Sequence, residues 1–438
     1  MMVANGAKIV GRVVLPPGFT PVAPYAPMWL QNGSVLAAVG ALGDHTAVIG
    51  IDTTGARPPF VIATDFGTVV PGAKIADVVA SPDGMTLAIA AIEPTSGRLN
   101  IILHEVIAPD ESNLIASFNG VFDSISVAWL DPHRIAVGLR SSSNSNGSPA
   151  PANPPEAGAP GNVENASPNG LYVIDTTGLG SVKRIAIECA LSALSWSPNG
   201  NWAIGSGDAV ALPVLIRLQN PACVTMHGGP ITPIGWSPDS ESILYSAPFR
   251  GSRGVFRHDP ADSSTSPIAI SSASAAWTST GEILALGSQT LTWRATQAVA
   301  KLWPVQVALM GPSMPDVEIL SLGIKTTAPM LALSTMDYTQ ATDMAAIDLI
   351  TPGATGPIRR IIGYLEPTRT ALTLASGPVI GPVLMSWSPD GNDLAILDTN
   401  MGASVLTVVS PIGELRAHPA AGAFSVVGEK SVPVKPKN

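Results

Sequence analysis

The chain has 438 residues and a formal net charge of −9, with 13% charged residues against 46% hydrophobic ones. That balance excludes a disordered polyelectrolyte, and an acidic surface repels phosphates, so neither nucleic acid nor an anionic lipid surface is an expected partner. No run of 18 apolar residues occurs, so no transmembrane helix is expected.

The 42 glycines and 41 prolines are spread along the chain. Both residues break helices and favour turns, so many short strands are expected. The first is Lys8-Ile9-Val10-Gly11-Arg12-Val13-Val14. A repeat begins after it. Ser195-Trp196-Ser197-Pro198-Asn199-Gly200, Gly235-Trp236-Ser237-Pro238-Asp239-Ser240 and Ser386-Trp387-Ser388-Pro389-Asp390-Gly391 are nearly the same. Ala80-Ser81-Pro82-Asp83-Gly84 matches with Ala in place of Trp, and Trp29, Trp129 and Trp277 open weaker versions. Six of the nine tryptophans therefore share one repeat position.

Each residue type in the repeat has a physical reason. Pro presets φ for the first turn residue, Asp or Asn hydrogen-bonds the local backbone, and Gly accepts the conformation that closes the turn. Trp ends a strand and offers a large apolar face to a neighbouring sheet. Short apolar runs follow each turn, such as Leu87-Ala88-Ile89-Ala90-Ala91 and Leu394-Ala395-Ile396-Leu397. They read as buried second strands. Third strands follow, two of them ending in Ile-Asp-Thr-Thr-Gly at residues 51–55 and 174–178. Four antiparallel strands per unit is the pattern of a propeller blade.

Counted from the Trp position, with Ala80 in the second unit, the spacings are 51, 49, 67, 40, 41 and 110. The last is too long for one unit. A degenerate one is expected inside it, with strands at Val317–Leu322, Met330–Leu333, Met344–Leu349 and Ile358–Ile362. The expected fold is therefore all-β: a β-propeller of about eight four-stranded blades, or seven if one weak unit is misread. Residues 1–20 supply a closing strand that pairs with the last blade, 21–420 the propeller and 421–438 a tail. Residues 141–170, all but three of them Ser, Asn, Gly, Pro or Ala, form an insertion between the second and third strands of the third unit. Too little of it is apolar to offset the entropy of ordering, so it is expected to be disordered.

Gly-x-Ser-x-Gly, the phosphate-binding Gly-x-x-x-x-Gly-Lys-Ser/Thr and His-Glu-x-x-His are absent. His45, His104, His133, His227, His258 and His418 are scattered, although a propeller could gather ligands from several blades; His227-Gly228-Gly229 is placed nearest an inner strand. Turn chemistry accounts for Asp83, Asp239 and Asp390 without calcium, which needs six or more oxygens. Cys189 and Cys223 precede the first strands of neighbouring units, so a disulfide and two free thiols both remain open. No catalytic, cofactor-binding or metal residue is assigned, and no cofactor is expected.

The Trp-Ser-Pro-Asp-Gly turn followed by a strand resembles the repeat of TolB-like propellers, relatives of the WD repeat, over roughly Trp29 to Ser410. The resemblance implies a non-enzymatic protein-interaction scaffold with a protein partner, in the periplasm or outside the cell. The residues before Lys8 lack a basic, apolar leader, which read literally gives the cytoplasm. The alternative is a propeller enzyme, a lactonase, lyase or glycan hydrolase, with its site at the mouth of the central channel.

Overall fold

A computed structural model describes residues 2–3, 7–22, 25–53, 57–63, 72–106, 112–141, 162–163, 170–177, 181–185, 194–205, 214–218, 222–226, 231–249, 252–270, 274–287, 306–310, 317–321, 332–339, 341–353, 356–365, 370–379, 381, 383–399 and 404–411. The described residues form strands and one short 3-10 turn, Gln31–Gly33, with no α-helix. The strands fall into eight sheets. Their contacts divide the chain into two compact units: Leu30–Gly50 with Phe60–Pro233, and Met1–Trp29 with Ile51–Pro59 and Ile234–Asn438.

The unit from Leu30 to Pro233 contains four sheets in sequence order. The first holds Val35–Leu42, His45–Asp52 and Phe60–Ala63. The second is Lys74–Ala80, Thr86–Ile92, Leu99–Glu105 and Ser112–Phe118. The third is Phe122–Asp131, Arg134–Ser141, Gly170–Asp175 and Val182–Ile185, and the fourth Leu194–Trp196, Trp202–Gly205, Val214–Arg217 and Ala222–Thr225. In each the strands named lie side by side in chain order, most of them joined by short connections.

The other unit repeats the pattern. Its first sheet, the fifth of the chain, is Thr232–Trp236, Ile243–Phe249, Ser252–Asp259 and Ser264–Ile270. The sixth is Ser274–Trp277, Ile283–Gly287, Gln306–Met310 and Val317–Ser321. The seventh is Ala332–Thr339, Met344–Gly353, Gly356–Leu365 and Thr370–Pro378. The eighth joins Val383–Trp387, Leu394–Thr399 and Ser404–Pro411 to the early strand Ala7–Val14, which pairs antiparallel with Ser404–Pro411. The strand Ala7–Val14 thus completes the last sheet, as expected from the need to cover an otherwise exposed sheet edge.

The second strands explain why these sheets stack. Leu87, Ala88, Ile89, Ala90 and Ala91 are all fully buried, as are Leu394, Ala395 and Leu397. Such strands are covered on both faces, which is why they read as continuous apolar runs rather than alternating ones. Between the second and third sheets, Phe118 and Tyr172 meet with ring centroids 4.8 Å apart. They lie in a cluster with Ile101, Ile135 and Val137.

Three expectations need correcting. The strand at Val317–Ser321 closes the sixth sheet instead of opening the seventh. The seventh starts at Ala332 and ends with Thr370–Pro378, so the degenerate unit lies one strand later than its apolar runs suggest. The sixth sheet's third strand, Gln306–Met310, lies well beyond its first hairpin, and that distance hid it. Cys223 sits inside the fourth strand of the fourth sheet, Ala222–Thr225, not ahead of a first strand. Finally, not every pairing is antiparallel: Asn162–Val163, from the insertion, runs parallel to Ser117–Phe118 on the outer edge of the second sheet. The rest of the insertion, Cys189, His227, His418 and the tail 421–438 lie outside the described residues.

Candidate functional site

The repeat turns all close in the same way. In Ser81–Gly84, Ser197–Gly200, Ser237–Ser240 and Ser388–Gly391 the fourth residue donates its backbone N–H to the serine carbonyl at 2.8–2.9 Å. That fourth residue has φ of 67°, 66°, 65° and 68° in turn. Gly84, Gly200 and Gly391 adopt this left-handed geometry freely, while Ser240 carries it against the usual cost of a Cβ. At Gly84 a Cβ would also lie 2.9 Å from the Gln31 nitrogen. Each serine hydroxyl donates to the acid or amide two residues on: Ser81 to Asp83 (2.5 Å), Ser197 to Asn199 (2.8 Å), Ser237 to Asp239 (2.5 Å) and Ser388 to Asp390 (2.6 Å). The serine hydroxyl and the backbone amide at residue 85 hold Asp83 below the usual carboxylate range; Ser237 and the residue 241 amide do the same for Asp239. These carboxylates are spent on the turn.

The tryptophans tie sheet to sheet. Trp129 Nε1 donates to the Val79 carbonyl (3.3 Å), Trp277 to Gly235 (3.1 Å), Trp387 to Asp337 (3.3 Å) and Trp29 to Ser386 (3.0 Å). In the first three pairs the acceptor immediately precedes the Trp position of the preceding sheet, and Ser386 immediately precedes Trp387, so one repeat residue supplies an apolar face and a directed hydrogen bond. Asp337 therefore precedes the seventh unit's Trp position, and Tyr338 fills it. Its hydroxyl donates to Asp343 Oδ1 at 2.6 Å, and Asp343 accepts from the amide and hydroxyl of Ser279 in the sixth sheet at 2.8 and 2.5 Å. A Tyr–Asp–Ser relay thus replaces the indole at that seam. Trp196 departs in the other direction: its Nε1 is buried with no hydrogen-bond partner among the described residues.

Two first-strand carboxylates also bridge sheets. Asp77 accepts from its neighbour Val78 N (2.9 Å) and from Val127 N in the third sheet (2.7 Å). Ser126 repeats this one sheet on, accepting from Leu194 N at 3.0 Å. Asp337 Oδ2 accepts from Trp387 N at 2.8 Å. Burial raises the Asp337 carboxyl to about 6, against the opposing pull of the two backbone amides it receives.

The described histidines do not converge. His104 and His258 occupy matching places near the ends of third strands, in different sheets. Nδ1 of His104 lies 2.8 Å from Ser112 Oγ, and Nδ1 of His258 lies 2.9 Å from Thr265 Oγ1. Both Nε2 atoms are buried without a partner among the described residues. Burial lowers the pKa of each ring, so both are held neutral. Among the described residues no three His, Cys, Asp or Glu side chains are placed to hold a metal ion.

No protein-family model matches the chain, and no curated protein is similar to it. Solved structures are similar in fold. The Dos1 propeller aligns over 92% of this chain and 95% of its own, with 11% identity and a TM-score of 0.57. Sqt1 from Chaetomium thermophilum aligns over 93% and 99%, with 11% identity and a TM-score of 0.53. An oligogalacturonate lyase in complex with manganese aligns over 95% and 100%, with 11% identity and a TM-score of 0.52. At these identities the likeness concerns the fold. The chain is an all-β protein with the β-propeller fold, as the resemblance of its repeats to TolB-like and WD-repeat proteins implies.

Proposed function

We propose that this chain is a non-enzymatic protein-interaction scaffold, acting in the periplasm or outside the cell. One observation carries the reading: the side chains best suited to chemistry are committed to holding the fold. Among the described residues, Asp83, Asp239 and Asp390 serve their turns, His104 and His258 are buried with their Nδ1 atoms on Ser112 and Thr265, and the Trp row joins adjacent sheets. What such a repeat array offers to the outside is surface, and fold-level likeness extends to an enzyme as well as to other propellers.

The test is native co-purification of the tagged protein from its host, followed by reconstitution from purified components. A stoichiometric complex that re-forms supports the reading. The competing lyase reading is checked by incubating the purified chain with oligogalacturonate and manganese, where unsaturated product would overturn the proposal. Cell fractionation checks the compartment.

A further inference from the structure

The strand Ala7–Val14 is the outer strand of the eighth sheet and is paired on one side only among the described residues. Its register with Ser404–Pro411 slips between Ile9 and Gly11, so Val10 bulges out of the ladder. Ile9 faces Val409, Arg12 faces Thr407 and Val14 faces Val405. Those three partners alternate along their strand, so Ile9, Arg12 and Val14 share one face of the sheet. On the opposite face, a Cβ at Gly11 would lie 2.5 Å from the Thr53 carbonyl oxygen.

The exposed side chains of this edge strand are unusual in composition. Ile9, Val10 and Val14 are 43%, 41% and 62% exposed, three of the eight large apolar side chains exposed among the described residues. Lys8 and Arg12 are also exposed, and neither has a carboxylate partner among the described residues. The chain as a whole carries −9, yet this edge bears two cations and no acid. An apolar strip interrupted by a guanidinium, beside backbone N–H and C=O groups that no described strand pairs, fits strand addition.

We propose that the outer edge of Ala7–Val14 accepts an extended segment of a partner protein whose facing side chains read apolar–acidic–apolar, the acid opposite Arg12 and the apolar residues over Ile9 and Val14. The proposal rests on the interaction reading and names the partner's chemistry. The chain already uses this mode on itself, adding Met2–Val3 to the outer edge of the seventh sheet and Asn162–Val163 to that of the second.

The probes are acetyl-Thr-Val-Thr-Glu-Thr-Val-Thr-amide, its lysine-for-glutamate counterpart, and a glutamate peptide N-methylated at alternate backbone nitrogens. Binding is followed by chemical shifts of the Lys8–Val14 amides in the isotope-labelled full chain, with peptide into the millimolar range. The glutamate peptide is expected to bind about threefold to fivefold better than the lysine peptide, the size of one exposed charge pair. Arg12→Glu is expected to invert that order without unfolding the chain, and N-methylation to abolish binding. Shifts from neither peptide would mean that the bulge and cations only protect the edge, and would overturn the proposal. So would a preference that Arg12→Glu leaves unchanged. Either result leaves the interaction reading to its own co-purification test, so the two failures are distinguishable.

Discussion

Replacing each repeat tryptophan by phenylalanine separates its two roles. Phenylalanine keeps an apolar ring but removes the indole N–H and some volume, a packing loss larger at the buried Trp277 and Trp387 than at the half-buried Trp29, Trp129 and Trp196. At Trp29 and Trp277 the change also removes hydrogen bonds of 3.0 and 3.1 Å to the Ser386 and Gly235 carbonyls. A neutral hydrogen bond contributes about 1 kcal/mol net. At Trp129 and Trp387 the bonds are longer, at 3.3 Å, and the loss is expected to be smaller. At Trp196 no bond is lost, and a buried N–H without a partner is removed. Such an orphan costs about 1–3 kcal/mol, so its removal offsets the packing loss. Trp277→Phe is therefore expected to destabilise by about 2–4 kcal/mol more than Trp196→Phe from the lost bond and the relieved orphan together, with the deeper burial of Trp277 adding to the difference. Urea denaturation followed by far-ultraviolet circular dichroism measures this without relying on the fluorescence being mutated. Variants are comparable if their m-values agree. Equal losses at positions 196 and 277 would refute the idea that the indole bond holds the seam.

Three further outcomes follow from buried charge. Asp337→Asn keeps an oxygen for Trp387 N while removing a carboxyl whose pKa is raised from 3.8 to about 6. A raised acid favours its neutral form when folded, so native stability falls as pH rises from about 4 to 6 and stays low above it; the full shift is worth at most about 3 kcal/mol. Asn is expected to stabilise the protein at pH 7 by about 1–2 kcal/mol and to flatten that slope, as thermal melts across this range would show. His104 and His258, both with lowered pKa, act oppositely: the unfolded chain takes up protons first, so stability falls as pH drops below the unperturbed value of 6.5. His104→Gln/His258→Gln is expected to weaken that acid sensitivity. Arg359 and Asp348 form a buried ion pair at 2.9 Å, 3% and 0% exposed. Arg359→Leu, which removes the guanidinium from the buried Asp348 carboxylate, should cost about 3–5 kcal/mol, whereas Asp348→Leu/Arg359→Met together should cost far less in the same denaturation assay.

Where turn chemistry is dictated residue by residue, the sequence is enough to read the fold. Ser-Pro-Asp-Gly permits few backbone paths, and the apolar run after it has to be buried, so seven repeat positions and the closing strand Ala7–Val14 were legible. The seventh unit was obscured because Tyr338 stands in for Trp and Thr339 with Asp343 for the usual turn. An aromatic 61 residues after Trp277 and 49 before Trp387 was the available signal, and it is visible only once the indole's partner is known. The Asp77 and Asp337 bridges and the solvent-facing strip of Ile9, Arg12 and Val14 depend on register and on which neighbouring sheet lies opposite. No local pattern encodes that. The bulge at Val10 shifts the strand's alternation by one, so counting every second residue from Lys8 assigns Ile9 and Val14 to opposite faces.

The most direct test of the scaffold reading combines both of its sides in one preparation. The protein is isolated from its native host, its mass measured in solution, and the same sample assayed with oligogalacturonate and manganese. The account predicts a complex with a second protein in fixed ratio, re-formed from purified components, and no turnover. A lone chain that releases unsaturated product would contradict it.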